Sequence, residues 1–175
     1  MKKILLPTLV LAAISAKAQT STDNVTLNVK LNPIQTLVVN SAQKTVDLTY
    51  TTKADYSDGV ESEQKDHLSV YSTGGFEIKA KVGADLTNSA TSKTIAANTI
   101  NITAAKGTDG LEATYSNTTL STSDAVIVSS TVGGVDKNIN ITYAGKGADA
   151  YINNYIAGQN PTVYTTTVTY TINAK

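Results

Sequence analysis

The sequence predicts an all-β chain folded as a two-layer antiparallel β-sandwich, Ig-like, with about eight to ten strands. Three observations carry that expectation. Large apolar residues alternate with polar ones along most of the length, the period of strands with one buried face. Clusters of Gly, Asn, Asp and Ser separate the alternating runs at the spacing turns require. Threonine occurs 28 times in 175 residues, and its β-branch suits a strand while its hydroxyl keeps the outer face wet.

Taken in order, Val25, Leu27, Val29 and Leu31 alternate first. They form either a first strand paired within its own sheet or a strand donated to another molecule. Pro33 then interrupts, and the run "IQTLVV" resumes at Ile34. Val46, Leu48 and Tyr50 make a further alternating set, followed by an acidic loop, "KADYSDGVESEQKDH", at residues 53–67. Strands "LSVYS" and "FEIKAKV" follow, meeting at Gly74 and Gly75 in a hairpin or a sharp bend. Ile100, Ile102 and Ala104 alternate next, then comes an apolar run at residues 126–128, then Ile139, Ile141 and Tyr143. Residues 149–157, "DAYINNYIA", read as a loop element before the last strand. The closing stretch "VYTTTVTYTINAK" is expected to be internal to the sandwich. Tyr164, Val168, Tyr170 and Ile172 would face inward, and Thr165, Thr167, Thr169 and Thr171 would face water.

The first residues place Lys2 and Lys3 ahead of an apolar run at residues 4–16, followed by the small-x-small pattern Ala16, Lys17, Ala18. This predicts a secretory signal peptide at residues 1–18, cut before Gln19. A membrane helix fits less well, because crossing a bilayer takes roughly 20 apolar residues and Pro7 lies inside the shorter run. The expected product is a single domain at residues 19–175, exported to the periplasm, the cell surface or the medium, with no transmembrane segment in the mature chain.

That mature chain carries eleven lysines against fourteen carboxylates, a formal charge of −3. With no arginine, it lacks the guanidinium fork that grips phosphate, so nucleic acid is not an expected partner. The absence of cysteine excludes disulfides, thiolate metal sites, a cysteine nucleophile and a lipidated cysteine.

Four constellations are candidates for chemistry. Asp55, Asp58, Glu61 and Glu63 crowd into the acidic loop and form a weak calcium candidate, although their spacing departs from the EF-hand pattern. No cofactor or resident metal is expected. His67 is the only histidine, and no Gly-x-Ser-x-Gly elbow accompanies it, so a secreted hydrolase is a minor alternative. Glu77 and Glu112 could pair as glycosidase carboxylates, but the chain has no tryptophan to line a sugar cleft. Tyr151 and Tyr155, with Gln159 and Asn160 nearby, could stack on and hydrogen-bond a cell-wall or host glycan. Asn24, Asn101, Asn117 and Asn140 each open an Asn-x-Thr triplet, a frequent accident in a chain this rich in both residues.

Two stretches together, "HLSVYSTGGFEIKAKV" and "PTVYTTTVTYTI", resemble in order and type the bacterial WxL-domain surface proteins, and more loosely the subunits of bacterial pili. That family carries two Trp-x-Leu motifs, where this chain has Phe76, Glu77, Ile78 and Tyr170, Thr171, Ile172. The resemblance implies an exported, surface-exposed β-sandwich.

The expected function is therefore a non-enzymatic surface or structural module acting through self-association or through adhesive and envelope contacts. Strand addition supplies a physical basis, because an unpaired edge offers main-chain donors and acceptors to an alternating segment. Val25, Leu27, Val29 and Leu31 are the candidate donor strand. A carbohydrate-binding module is the alternative.

Overall fold

A computed structural model describes residues 19–175; the segment expected to be a signal peptide, residues 1–18, lies outside the described residues. The chain divides into two units, Met1–Leu31 and Asn32–Lys175. In the first unit, residues 19–31 form no strand. Val25, Leu27, Val29 and Leu31 are 92, 87, 78 and 87% exposed, so the expectation of a strand paired within its own sheet does not hold for this segment.

The second unit is all-β apart from one short α-helix and two 3-10 turns. Its strands are β1 (Gln35–Val39), β2 (Val60–Ser72), β3 (Phe76–Val82), β4 (Leu86–Thr87), β5 (Thr94–Ile95), β6 (Ile100–Lys106), β7 (Thr114–Tyr115), β8 (Asn117–Thr119), β9 (Ala125–Ser130), β10 (Gly134–Gly145) and β11 (Val168–Ala174). They form a five-stranded sheet in the order β1-β2-β10-β6-β8, a four-stranded sheet in the order β11-β3-β9-β7, and the small pair β4-β5. All pairings are antiparallel.

The two large sheets share one apolar core. Leu68, Val70, Ile102, Ile139 and Ile141 from the first sheet meet Phe76, Ile78, Val82, Ile127 and Val128 from the second. In β3 the alternation is complete: Phe76, Ile78, Ala80 and Val82 are buried while Glu77, Lys79 and Lys81 between them are not. Each large aliphatic side chain so buried contributes about 1.5–3 kcal/mol of hydrophobic stabilisation. With no disulfide available, packing of this kind holds the fold.

Gly74 and Gly75 do not close a hairpin, because β2 and β3 belong to different sheets. They form the bend that carries the chain across the core. A Cβ on Gly75 would lie 3.1 Å from the Ser130 and Thr131 backbone, so the crossing runs close against the end of β9.

The segment expected as an acidic loop is instead ordered. Its first part is a helix, α1 (Lys53–Asp58), and its remainder is the first half of β2. The helix starts at a reciprocal capping box: Thr52 Oγ1 accepts from the Asp55 backbone N–H, and Asp55 Oδ2 accepts from the Thr52 N–H. Residues 53–58 have no sustained apolar period, so local capping rather than amphipathicity specifies this turn.

Two other departures concern strand pairing. Residues 44–50 alternate as expected, with Val46 and Leu48 packed on the core, but they enter no sheet ladder. β11 likewise turns the predicted face inward, yet it is an edge strand of the four-stranded sheet rather than an internal one.

Candidate functional site

The side of the sandwich bordered by β1 and β11 combines unpaired backbone with incomplete burial. β1 and β11 end their respective sheets and lie beside each other. Leu37 and Val39 on β1, Val46 and Leu48 in the unpaired run, and Val168, Tyr170 and Ile172 on β11 all touch the core but are only half-buried. Leu111, Ala113 and Tyr115 at the opposite edge are also half-buried. What sets the β1/β11 side apart is that two sheet edges lie beside each other there.

Backbone alternation fixes which groups β11 leaves free. The Lys175 N–H donates to Gly75 O at 3.0 Å, and hydrogen-bonded residues alternate along an antiparallel pair. Val168, Tyr170 and Ile172, opposite Val82, Ala80 and Ile78, therefore turn their N–H and C=O groups away from β3. The residues whose side chains line the core are thus the ones whose main-chain groups face the open edge.

A polar chain crosses beneath this edge. The Gln43 side-chain amide donates to Lys65 O at 2.9 Å, which directs its Oε1 toward His67 Nδ1, 3.0 Å away. Because that oxygen only accepts, the proton sits on Nδ1 and Nε2 is left as an acceptor. Nε2 lies 3.1 Å from the Tyr143 hydroxyl, which donates to it and accepts in turn from the Tyr170 hydroxyl at 2.5 Å. Every group in the run from Tyr170 to Gln43 then has a partner, and no buried side-chain polar atom among the described residues lacks one. The rings of Tyr143 and Tyr170 both stand edge-on to His67, with centroids 5.9 Å away.

Burial pushes the His67 pKa below its ordinary 6.5 and keeps the imidazole neutral. Burial also raises both tyrosines, most strongly Tyr170. His67 reaches this position through a bulge. Between Ile141↔Gln64 and Ile139↔Leu68 the register slips, Asp66 takes a φ of 50°, and its N–H donates to Asn140 Oδ1 at 2.7 Å. A regular pleat cannot bury two consecutive side chains on one face, but the extra residues here let His67 and Leu68 both go inside. As a hydrolase candidate, His67 has both ring nitrogens engaged by Gln43 and Tyr143, and no serine contacts them.

The glycan candidates are not brought together. Tyr151 is buried, packs edge-on against Tyr50 at 5.1 Å, and donates its hydroxyl to Thr99 Oγ1 at 2.8 Å. Tyr155 is 60% exposed and stands outside the Tyr50–Tyr56–Tyr151 cluster. Gln159 Oε1 accepts from Asn88 Nδ2 at 2.8 Å, while Asn160 is exposed. Asn88, which sequence reasoning missed, is the polar anchor of this loop. It is buried, it also donates to Val163 O at 3.0 Å, and its Oδ1 accepts from the Ala90 and Thr91 N–H groups. Its only sequence signal is an Asn placed for an Asx turn.

The acidic candidates are likewise dispersed. Asp55 is spent on the capping box, whose Thr52 and Thr51 N–H groups hold its pKa down to about 2. Asp58 accepts from the Ser57 hydroxyl, and Glu61 and Glu63 project from the outer face of β2. Among the described residues no group of three or more acidic or imidazole side chains is placed to hold a metal ion. Of the glycosidase pair, Glu77 lies on β3 and Glu112 is paired with Lys106. Among the described residues no helix is long and apolar enough to cross a membrane.

Comparison of the chain with the models of known protein families gives no match, and comparison with curated proteins gives none either.

Proposed function

We propose that this chain is an exported, non-catalytic structural module of the bacterial surface, with an Ig-like sandwich, that acts by self-association. The observation that carries the proposal is the segment at residues 25–31. Its four apolar side chains alternate as in a strand with one buried face, yet all are at least 78% exposed. Leaving four such side chains in water forgoes about 1.5–3 kcal/mol each, so the segment is built to be covered by something. Support for a structural role also comes from the half-covered side of the sandwich and from the engagement of His67 within the fold. Glycan binding through Tyr151 and Gln159 is less well supported, since both are committed to internal contacts.

The test is sedimentation and electron microscopy of the chain from Gln19, beside a Leu27→Asp, Val29→Asp variant. Concentration-dependent oligomers or fibres are expected for the first and monomers of unchanged melting temperature for the second. A parent chain that remains monomeric at every concentration would overturn the proposal.

A further inference from the structure

We infer that the receiving site for residues 25–31 is the free edge of β11, and that the occupant is this segment from a second copy of the chain. The inference rests on the self-association proposed above and adds where it happens. Three features of β11 fit the segment. Both are seven residues long, so a strand laid along Val168–Ala174 would match it end to end. The main-chain groups of Val168, Tyr170 and Ile172 face the open edge, which is what a ladder with an added strand requires. The side chains of the same three residues are half-buried on the core, and Val25, Leu27, Val29 and Leu31 would continue that apolar face by one strand.

The opposite edges fit less well. β7 and β8 are two and three residues long, too short to template seven. β1 is a second free edge, but it has only five residues. Gln43, in the 3-10 turn that follows β1, is linked to Tyr170 through His67 and Tyr143. An added strand would therefore sit over a fixed polar layer, with apolar contacts from Val168 and Ile172 beside it.

The chain has no native cysteine, which makes pairwise cross-linking clean. The wet-face positions are Thr26, Asn28 and Lys30 on the segment, of which Asn28 is central, and Thr169, Thr171 and Asn173 on β11. Side chains directly opposite on neighbouring strands stand about 4.5–5.5 Å apart at Cβ, within reach of a disulfide. Chains from Gln19 carrying Asn28→Cys are mixed with chains carrying Thr169→Cys, Thr171→Cys or Asn173→Cys and oxidised, with Thr119→Cys on β8 as the comparison edge. The expected result is a covalent dimer with at least one of the three β11 variants, none with Thr119→Cys, and loss of the dimer when Leu27→Asp and Val29→Asp are added to the Asn28→Cys chain. If the parent chain associates but residue 28 links to β8, or links to β11 regardless of those two aspartates, the β11 site is wrong while self-association stands. If a chain carrying both Asn28→Cys and Thr171→Cys instead closes on itself as a monomer, the second copy is not the occupant. If the parent chain never associates, both proposals fall.

Discussion

The hydroxyls of Tyr143 and Tyr170 meet 2.5 Å apart, joining β10 in the five-stranded sheet to β11 at the edge of the four-stranded one. The contact ties an otherwise one-sided strand to the far sheet. Removing each hydroxyl has a different cost. Tyr170→Phe leaves the Tyr143 bond to His67 intact and is expected to cost about 1 kcal/mol, the ordinary worth of a hydrogen bond. Tyr143→Phe strands both His67 Nε2 and the Tyr170 hydroxyl and is expected to cost about 2–3 kcal/mol. Urea unfolding of the two variants checks the order.

His67 gives the fold a pH dependence of known sign. Its folded pKa lies below 6.5, so as pH falls the unfolded chain takes up the proton first. Its contribution to stability is complete above pH 6.5 and is lost as pH falls through the lower folded pKa. The Asp55 contribution is separate: complete above 3.8, it is lost as pH falls toward about 2. His67→Gln is expected to flatten the stability profile just below pH 6.5 while leaving the acid limb unchanged. Chemical denaturation at half-unit pH steps measures it.

Position in the sandwich decides what a buried charge does. Ile78 is fully buried in β3, and Ile78→Asp is expected to yield no folded protein, because an unpaired carboxylate in the core costs several kcal/mol. Val168 is half-buried at the open edge, where water reaches the side chain. Val168→Asp is expected to remain folded, with a lowered melting temperature, and to lose association. Circular dichroism and size-exclusion chromatography distinguish the two.

Gly59 ends α1 at φ 91° and ψ 173°, a region open essentially to glycine alone. A Cβ there would also stand 2.5 Å from Gly145 O, a backbone atom with little room to move. Gly59→Ala is expected to destabilise by about 1–3 kcal/mol, more than Gly74→Ala, where a Cβ would meet nothing within 4 Å. Thermal melts of the two variants make the comparison.

The sequence by itself determined the all-β class and the inward face of β3, β6, β10 and β11, whereas β4, β5, β7 and β8, of two or three residues each, are too short to show a period. Alternation in β3, β6, β10 and β11 is a property of side chains two apart, and burial of one face follows wherever the strand is placed. The threonines at 165, 167, 169 and 171 are exposed and Val168, Tyr170 and Ile172 are turned inward, as the period requires, while Tyr164 precedes β11 and donates its hydroxyl to Asn154 O in the preceding loop. Capping at Thr52 and Asp55 was present in the sequence too, but a single helical turn has too few residues to show a period.

Only the tertiary structure decided which strands neighbour one another, because ladder partners are chosen across the whole chain and leave no local trace. It made the Gly74–Gly75 bend a crossing between sheets, left residues 44–50 without a ladder, and put β11 at an edge. It buried Tyr151 and placed His67 inside through a bulge set by Asn140, seventy-four residues from Asp66. The same apolar alternation that buries Ile78 leaves Leu27 and Val29 in water, since a period of two states which face seeks cover and not where the cover comes from.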